Sequence, residues 1–408
     1  MKTLKDLKDL KGKRILVRVD FNVPLKNGKI DDDNRIIQAL PTINYLVGSG
    51  ARVILFSHLG KIDYKKATPE ELKAQKAKNN LKVVAERLSE IMKQPVVFSE
   101  VTTGKELDDK VAALQDAEVL LVQNTRYEKG EEKNDPDLSA SWAKLGDVFV
   151  MDAFGSAHRA HASTYGIPEL LKKDGKPVAI GFLVEKEVHA LSRVVNVKNS
   201  DRPYLAILGG LKVSDKIKVI DLLLEKCDKI IIGGAMAYTF QRARGFTTGN
   251  SPVEESQLDY ARECLAKAKD RIVLPLDAMA SDAFSPEART VNFPTVNENI
   301  PEGFEGLDIG PKTIKLFQAE IAKAKMVFWN GPMGVFEQKE FIKGTAAVCE
   351  AIASLKGVFS VIGGGDSASA AKKLGYFDKF SHVSTGGGAS LEMIENNGHL
   401  PGIDIIGD

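Results

Sequence analysis

Short apolar runs rich in β-branched residues alternate with segments of helical period along almost the whole chain. This alternation leaves few folds open. In the first half the runs are Arg14–Val19, Arg52–Phe56, Val96–Phe98, Val119–Val122, Val148–Met151 and Val178–Ile180, with helical patterns at Arg35–Val47, Leu81–Met92 and Leu138–Leu145. In the second half they are Tyr204–Leu208, Lys229–Ile232, Ile272–Leu274, Met326–Trp329, Val358–Ile362 and Ser381–Val383. Helical patterns again fall between them, at Val213–Lys226, Ala235–Arg244, Val253–Lys267, Thr313–Lys323 and Phe341–Leu355. Strands that are apolar throughout are covered on both faces. Separated by helices, they predict parallel sheets of the α/β class. Two such series predict two doubly wound, Rossmann-like domains. The segment Val184–Val195, free of Gly and Pro, predicts a helix that joins them. A chain of 408 residues is long enough for two cores.

Composition excludes several classes of partner. The formal net charge is +1, so nothing draws the chain in bulk to nucleic acid or a membrane surface, and any anion site must be a local cluster. The N-terminus MKTLKDLKDLKGKR has no apolar core, which argues against a secretory signal. Cys227, Cys264 and Cys349 lie in apolar-periodic stretches without a CxxC pair and read as reduced core residues of a cytoplasmic protein. Two segments read as peripheral, and the tail does not. Lys65–Asn80 predicts a solvated loop or short helix, and Lys129–Asp137 an exposed turn. The tail Gly398–Asp408 is apolar enough to pack back on one of the domains.

In open α/β sheets, ligands bind outside the carboxyl ends of the strands. The first half places basic and polar side chains there. They are Arg18, Asp20 and Asn22 in RVDFNVP, His58 and Lys61 in SHLGK, and Arg126 in NTRY. Asp152, His158, Arg159 and His161 follow in DAFGSAHRAH, and Arg35 opens the first long helix. Arginine forks bind phosphate and carboxylate bidentately, so this rim suits a small, multiply anionic substrate. Arg18 reads as a supporting residue. A metal site at His158 and His161 lacks a third ligand at suitable spacing.

The second half places glycine at the strand ends. Gly209–Gly210 precedes Lys212 and Lys216, and Gly233–Gly234, Asn330–Glu337, Gly363–Ser367 and Thr385–Gly388 follow. In VIGGGDSASAA a strand meets glycines, an acid and a helix start. Glycines let backbone N–H groups approach phosphate, and Asp366 beside Ser367 could hold magnesium. The same residues also fit a plain strand-to-helix turn with Asp366 or Ser367 as cap. Lys212 and Lys216, four apart, predict two ammonium groups on one side of a helix start. The chain has no GxxxxGK[ST], GxGxxG, HRD or DFG, which counts against the commoner nucleotide folds. A basic half and a glycine-rich half imply a kinase that brings two anions together. A two-domain dehydrogenase and a non-catalytic two-lobed anion-binding protein are the rival readings.

The ordered motifs RVDFNVP, SHLGK, NTRYE, DAFGSAHRAHAS, ILGGLKVSDK, IIGGAMAYTF, GLDIGP, WNGPMGVFE, IGGGDS and STGGGASLE resemble the phosphoglycerate kinase family over essentially the whole chain. The resemblance implies reversible, direct in-line phosphoryl transfer from 1,3-bisphosphoglycerate to ADP, giving 3-phosphoglycerate and ATP. It also implies magnesium, a monomer, and hinge bending between residues 1–183 with the tail 394–408 and residues 184–393. Carried over by motif, it puts 3-phosphoglycerate on Asp20, Asn22, Arg35, His58, Lys61, Arg126 and Arg159. It puts nucleotide on Lys212, Lys216, Gly306, Glu337, Gly364, Gly365, Asp366 and Ser367. Asp366 would hold the metal and Glu337 would face the ribose. Arg35, Lys212 and the backbone at Gly386 and Gly387 would stabilise the moving phosphoryl group. Three residues depart from the family pattern: Lys61 where arginine is usual, Ala235 for a glycine, and Leu211 for a small residue.

Overall fold

The structure is a computed structural model and describes residues 1–285, 287–294 and 299–407. The chain divides into two compact units, Met1–His189 with His399–Asp408, and Ala190–Gly398. The sequence reading put the join at 183/184 and the return at 393/394. The unit boundary falls inside the helix Phe182–Val195.

In the first unit the strands are β1 (Arg14–Val19), β2 (Leu25–Lys26), β3 (Lys29–Ile30), β4 (Arg52–Phe56), β5 (Val96–Ser99), β6 (Val119–Val122), β7 (Val148–Asp152) and β8 (Val178–Ile180). β2 and β3 form a small hairpin. The other six make one sheet in the order β5-β6-β4-β1-β7-β8, with every pairing parallel. Ile15, Val17, Val53, Leu55, Val119 and Leu121 are fully buried, as helix cover on a parallel sheet requires. The order reverses direction between β1 and β7, the place where doubly wound sheets bind ligands beyond the carboxyl ends.

The second unit carries β9 (Tyr204–Leu208), β10 (Lys229–Ile232), β11 (Ile272–Val273), β12 (Asp277–Ser281), β13 (Thr290–Pro294), β14 (Glu305–Ile309), β15 (Met326–Asn330), β16 (Phe359–Ile362) and β17 (His382–Val383). Its parallel sheet runs β11-β10-β9-β15-β16-β17, and the order reverses between β9 and β15. β12 pairs antiparallel with β13 and β14 in a separate three-stranded sheet that the sequence reading did not anticipate.

The two peripheral segments and the tail take definite form. Thr68 and Glu71 build a capping box for the helix Pro69–Lys78, inside the charged stretch read as loop or short helix. The tail docks within the first unit: Gly402 N–H donates to the Ala157 carbonyl at 2.8 Å, and Lys172 Nζ donates to the Gly407 carbonyl at 2.6 Å. The run Lys129–Asp137, read as an exposed turn, is only partly so. Glu131 within it is 1% exposed, and its carbonyl accepts from Ala162 N at 2.9 Å.

Two buried carboxyls link fold to pH. Asp152 ends β7 and accepts from Leu183 N at 3.0 Å, capping the helix Phe182–Val195. Asp308 accepts from Ile309 N and Gly344 N, both at 2.8 Å. Burial pushes each of them up to about 7 from the ordinary 3.8. Between those values the folded chain keeps protons that the unfolded chain has released. Their contribution is therefore greatest at low pH and falls as pH rises from about 4 to about 7. Asp152→Asn is expected to gain stability over the parent across that window, by up to a few kcal/mol at about pH 8. Chemical denaturation at several pH values checks it, and a pH-independent difference would refute it.

Candidate functional site

The first unit gathers its basic residues beyond β1 and β4. Asp20 forms an ion pair with Arg35 and accepts from Asn22 N at 3.1 Å. Burial alone would raise the Asp20 carboxyl, but Arg35, with help from His58 and the Asn22 N–H, holds it below the usual range. Asn22 Oδ1 accepts from Gly60 N at 2.8 Å, and Arg126 donates NH1 to the Gly60 carbonyl at 2.7 Å. Gly60 thus ties the two motifs together. It sits at φ +60°, and a Cβ there would fall 2.2 Å from Asn79 Oδ1, so only glycine fits. Asn124 clamps the same loop, donating Nδ2 to the Leu59 carbonyl at 2.7 Å and accepting from Leu59 N at 3.2 Å.

His58 is buried, and burial, reinforced by Arg18, pushes its imidazole well below the ordinary 6.5. Burial likewise lowers His161 to about 4, so both rings are neutral at pH 7. Burial also lowers Arg126, although a guanidinium keeps its charge. The result is a set of cationic and neutral donors held by Asp20 and, 3.4 Å from Arg126, by Glu132, suited to a multiply charged anion. Arg159 and Lys61 are exposed: Arg159 donates Nε to His158 Nε2 at 3.0 Å, and Lys61 lies 3.7 Å from Asp63.

The second unit's site opens where its strand order reverses. A cleft of about 220 Å³ is lined by Gly210, Gly234, Ala235, Tyr238, Gly306, Met333 and Glu337. It continues into one of about 360 Å³ lined by Lys212, Lys216, Gly331, Gly364, Gly365, Asp366 and Ser367. Gly306 and Gly234 are steric requirements. A Cβ on Gly306 would lie 1.9 Å from the Tyr238 hydroxyl, and one on Gly234, at φ +64°, 2.5 Å from Gly210 N. Lys216 is buried, with Nζ donating to the Gly209 carbonyl and, at 3.4 Å, to the Asn330 carbonyl. Burial lowers it to about 8, against the opposing pull of Asp366 and Asp215.

The lysine pair departs from the sequence expectation. The α-helix begins only at Ile217, after a 3₁₀ turn at Ser214–Lys216, so helical spacing does not relate the two side chains. Lys216 turns inward and Lys212 stays exposed. Glu254 fixes the turn between them, accepting from Val213 N and Ser214 Oγ, both at 2.5 Å. Ser367 Oγ accepts from Gly331 N at 2.7 Å and so joins the β15 loop to the helix Gly365–Lys373. Asp366, in the first turn of that helix, is exposed to the cleft. Gly386 N donates to Ser384 Oγ at 3.1 Å, while Gly387 is at φ +53° before the helix Gly388–Glu395.

Sequence reasoning did not single out Asn124, Glu131, Ser163, Tyr238 or Glu254. Asn124, Ser163 and Tyr238 sit inside motifs already quoted and could have been found there. The carboxylates of Glu131 and Glu254 meet partners 32 and 40–41 residues away, which no local pattern marks.

The family model for phosphoglycerate kinase matches residues 4–397. A phosphoglycerate kinase of Enterococcus faecalis is 54% identical over 411 residues, covering 100% of this chain and 99% of that protein. One from Latilactobacillus sakei is 51% identical over 413 residues, with coverage of 100% and 99%. Among solved structures, phosphoglycerate kinase from Coxiella burnetii superposes with TM-score 0.85 at 36% identity, covering 99% of this chain and 98% of that one. Its counterpart from Pyrococcus horikoshii gives TM-score 0.84 at 34% identity, covering 100% and 98%.

Proposed function

The chain belongs to the phosphoglycerate kinase family, and from that premise we propose how its two units divide the work. The reaction is the glycolytic phosphotransfer, 1,3-bisphosphoglycerate and ADP to 3-phosphoglycerate and ATP. In our reading the first unit holds the phosphoglycerate on Asp20, Asn22, Arg35, His58, Lys61, Arg126 and Arg159. The second holds nucleotide on Lys212, Lys216, Gly306, Glu337 and Gly364–Ser367. The observation that supports this division is the glycine-lined cleft with Lys216 and Asp366, at the strand-order reversal where doubly wound sheets bind nucleotides.

The chemistry needs no general base. In the direction of ATP use the nucleophile is a carboxylate, ionised at neutral pH from a reference value of about 4. The obstacle is repulsion between anions. In our reading Arg35 of the first unit and Lys212 of the second, with N–H groups near Gly386–Gly388, offset it in an in-line transfer. Gly386 N–H is already engaged by Ser384, which leaves Gly387 and Gly388 as the freer donors.

The residues fit magnesium. Among the described residues no three His, Cys, Asp or Glu gather around a metal position, and Asp366 offers a single exposed carboxylate. Magnesium takes one or two protein carboxylates and completes its shell with phosphate oxygens and water. Asp366 would hold it, and it would supply charge neutralisation at the phosphates. Hinge bending between the units, a monomeric state and a cytoplasmic location complete the proposal. Among the described residues no helix is long and apolar enough to cross a membrane.

A coupled assay with 3-phosphoglycerate and MgATP tests the reading, and ADP release dependent on both is expected. Arg159→Ala is expected to raise KM for 3-phosphoglycerate about tenfold with little change for MgATP. A change confined to MgATP would reverse the assignment of the two units.

A further inference from the structure

We propose that Glu131 is a positioning residue for substrate capture: through Ser163 and Arg18 it fixes His58 in the tautomer that carries its proton on Nε2. The inference rests on the reading of His58 as a contact for 3-phosphoglycerate.

Four side chains form an unbranched relay. Glu131 accepts from Ser163 N through Oε1 and from Ser163 Oγ through Oε2, both at 2.8 Å. The serine proton is therefore committed to the carboxylate, and the serine lone pairs face Arg18, whose Nε donates to Ser163 Oγ at 2.8 Å. Arg18 gives NH1 to the Val19 carbonyl at 2.6 Å and places NH2 3.0 Å from His58 Nδ1. Glu131, Ser163 and Arg18 are at most 1% exposed, and His58 is 7% exposed. No member can trade its partner for bulk water.

Arginine has donors only, so His58 Nδ1 must accept. In a neutral ring the proton then lies on Nε2, which leaves that N–H for an anion. Glu131 is what makes this arrangement self-consistent. It supplies the counter-charge for a buried guanidinium and orients the hydroxyl that pins the guanidinium plane. The charged groups around the ring agree with this role. Burial and then Arg18 disfavour a second proton on His58, Arg126 and Arg35 add to that, and Asp20 opposes them without reversing the net effect. His58 so held binds an anion but does not shuttle protons, which suits a transfer that requires no base.

Nitrogen-15 spectra of the imidazoles test the relay in the full chain. The parent is expected to show His58 protonated at Nε2 and bare at Nδ1 at neutral pH. Glu131→Gln and Ser163→Ala are expected to give mixed tautomers. They should raise KM for 3-phosphoglycerate about tenfold, with kcat and KM for MgATP nearly unchanged. A parent His58 protonated at Nδ1 overturns the proposal whatever the variants do. Folded variants that keep the parent tautomer and KM overturn it as well. Saturation with 3-phosphoglycerate separates the two readings. A His58 signal that does not move refutes the substrate contact, and the capture role with it. A signal that moves with substrate yet ignores both substitutions refutes Glu131 alone.

Discussion

Lys212→Ala is expected to lower turnover by about 10²-fold or more while KM for MgATP changes by less than about threefold. The expectation comes from how the two lysines of the second unit differ. Lys216 is committed to main-chain carbonyls and builds the cleft. Lys212 precedes the helix, is exposed, and lines the same cleft as Asp366, Gly331 and Gly364. Its ammonium is suited to charge that develops on a moving phosphoryl group, and one donor aimed at such charge is worth about 2.7–4 kcal/mol of barrier. The backbone that presents it is held by Glu254 through Val213 and Ser214, so the alanine variant should fold normally. Single-turnover rates at saturating substrates give the measurement. Turnover within about threefold of the parent would remove Lys212 from the chemistry and leave it as a surface charge.

Much of this site is legible in the sequence because it lies at strand ends. Once Arg14–Val19 and Arg52–Phe56 read as buried strands, Asp20, Asn22 and His58 must fall beyond their carboxyl ends, and they do. The glycines at 209, 210, 234 and 331 read as close-approach positions for the same reason, and a Cβ at 209, 234 or 331 would collide with neighbouring backbone. Local pattern fails where the partner is distant or the signal is mixed. The run KGEEKNDPD has the composition of a solvated turn, yet Glu131 is buried because Ser163 and Arg18 need a carboxylate. Strands β12, β13 and β14 read as DAMAS, TVNFP and EGLDI. They lack the continuous β-branched runs of the parallel strands, and antiparallel pairing tolerates that pattern. The lysine pair failed for a third reason. The spacing rule presumes a helix already formed at Lys212, and the first helical residue is Ile217.

Lys216→Met is expected to weaken ADP binding by about 10²-fold and to abolish a proton uptake that accompanies it in the parent. Lys216 holds the carbonyls of Gly209 and Asn330, the residues that end or follow the two strands where the sheet order reverses. Methionine fills similar volume but leaves those carbonyls without their charged donor, a loss of about 1.5–3 kcal/mol from the nucleotide-binding geometry. Burial lowers the ammonium from the ordinary 10.5 to about 8. Between those values the unfolded chain binds the proton more firmly than the folded one. The lysine's contribution to stability therefore rises with pH across that window and is least favourable below about 8. A nucleotide phosphate reverses the balance, because an anion beside the amine favours its charged form. At about pH 8.5 a fraction of free protein has a neutral Lys216, so ADP binding must draw in a proton. Calorimetry in two buffers of different ionisation enthalpy measures that uptake directly. A parent that binds ADP with no uptake between about pH 8 and 9, or a methionine variant that keeps it, would show that Lys216 does not couple burial to nucleotide charge.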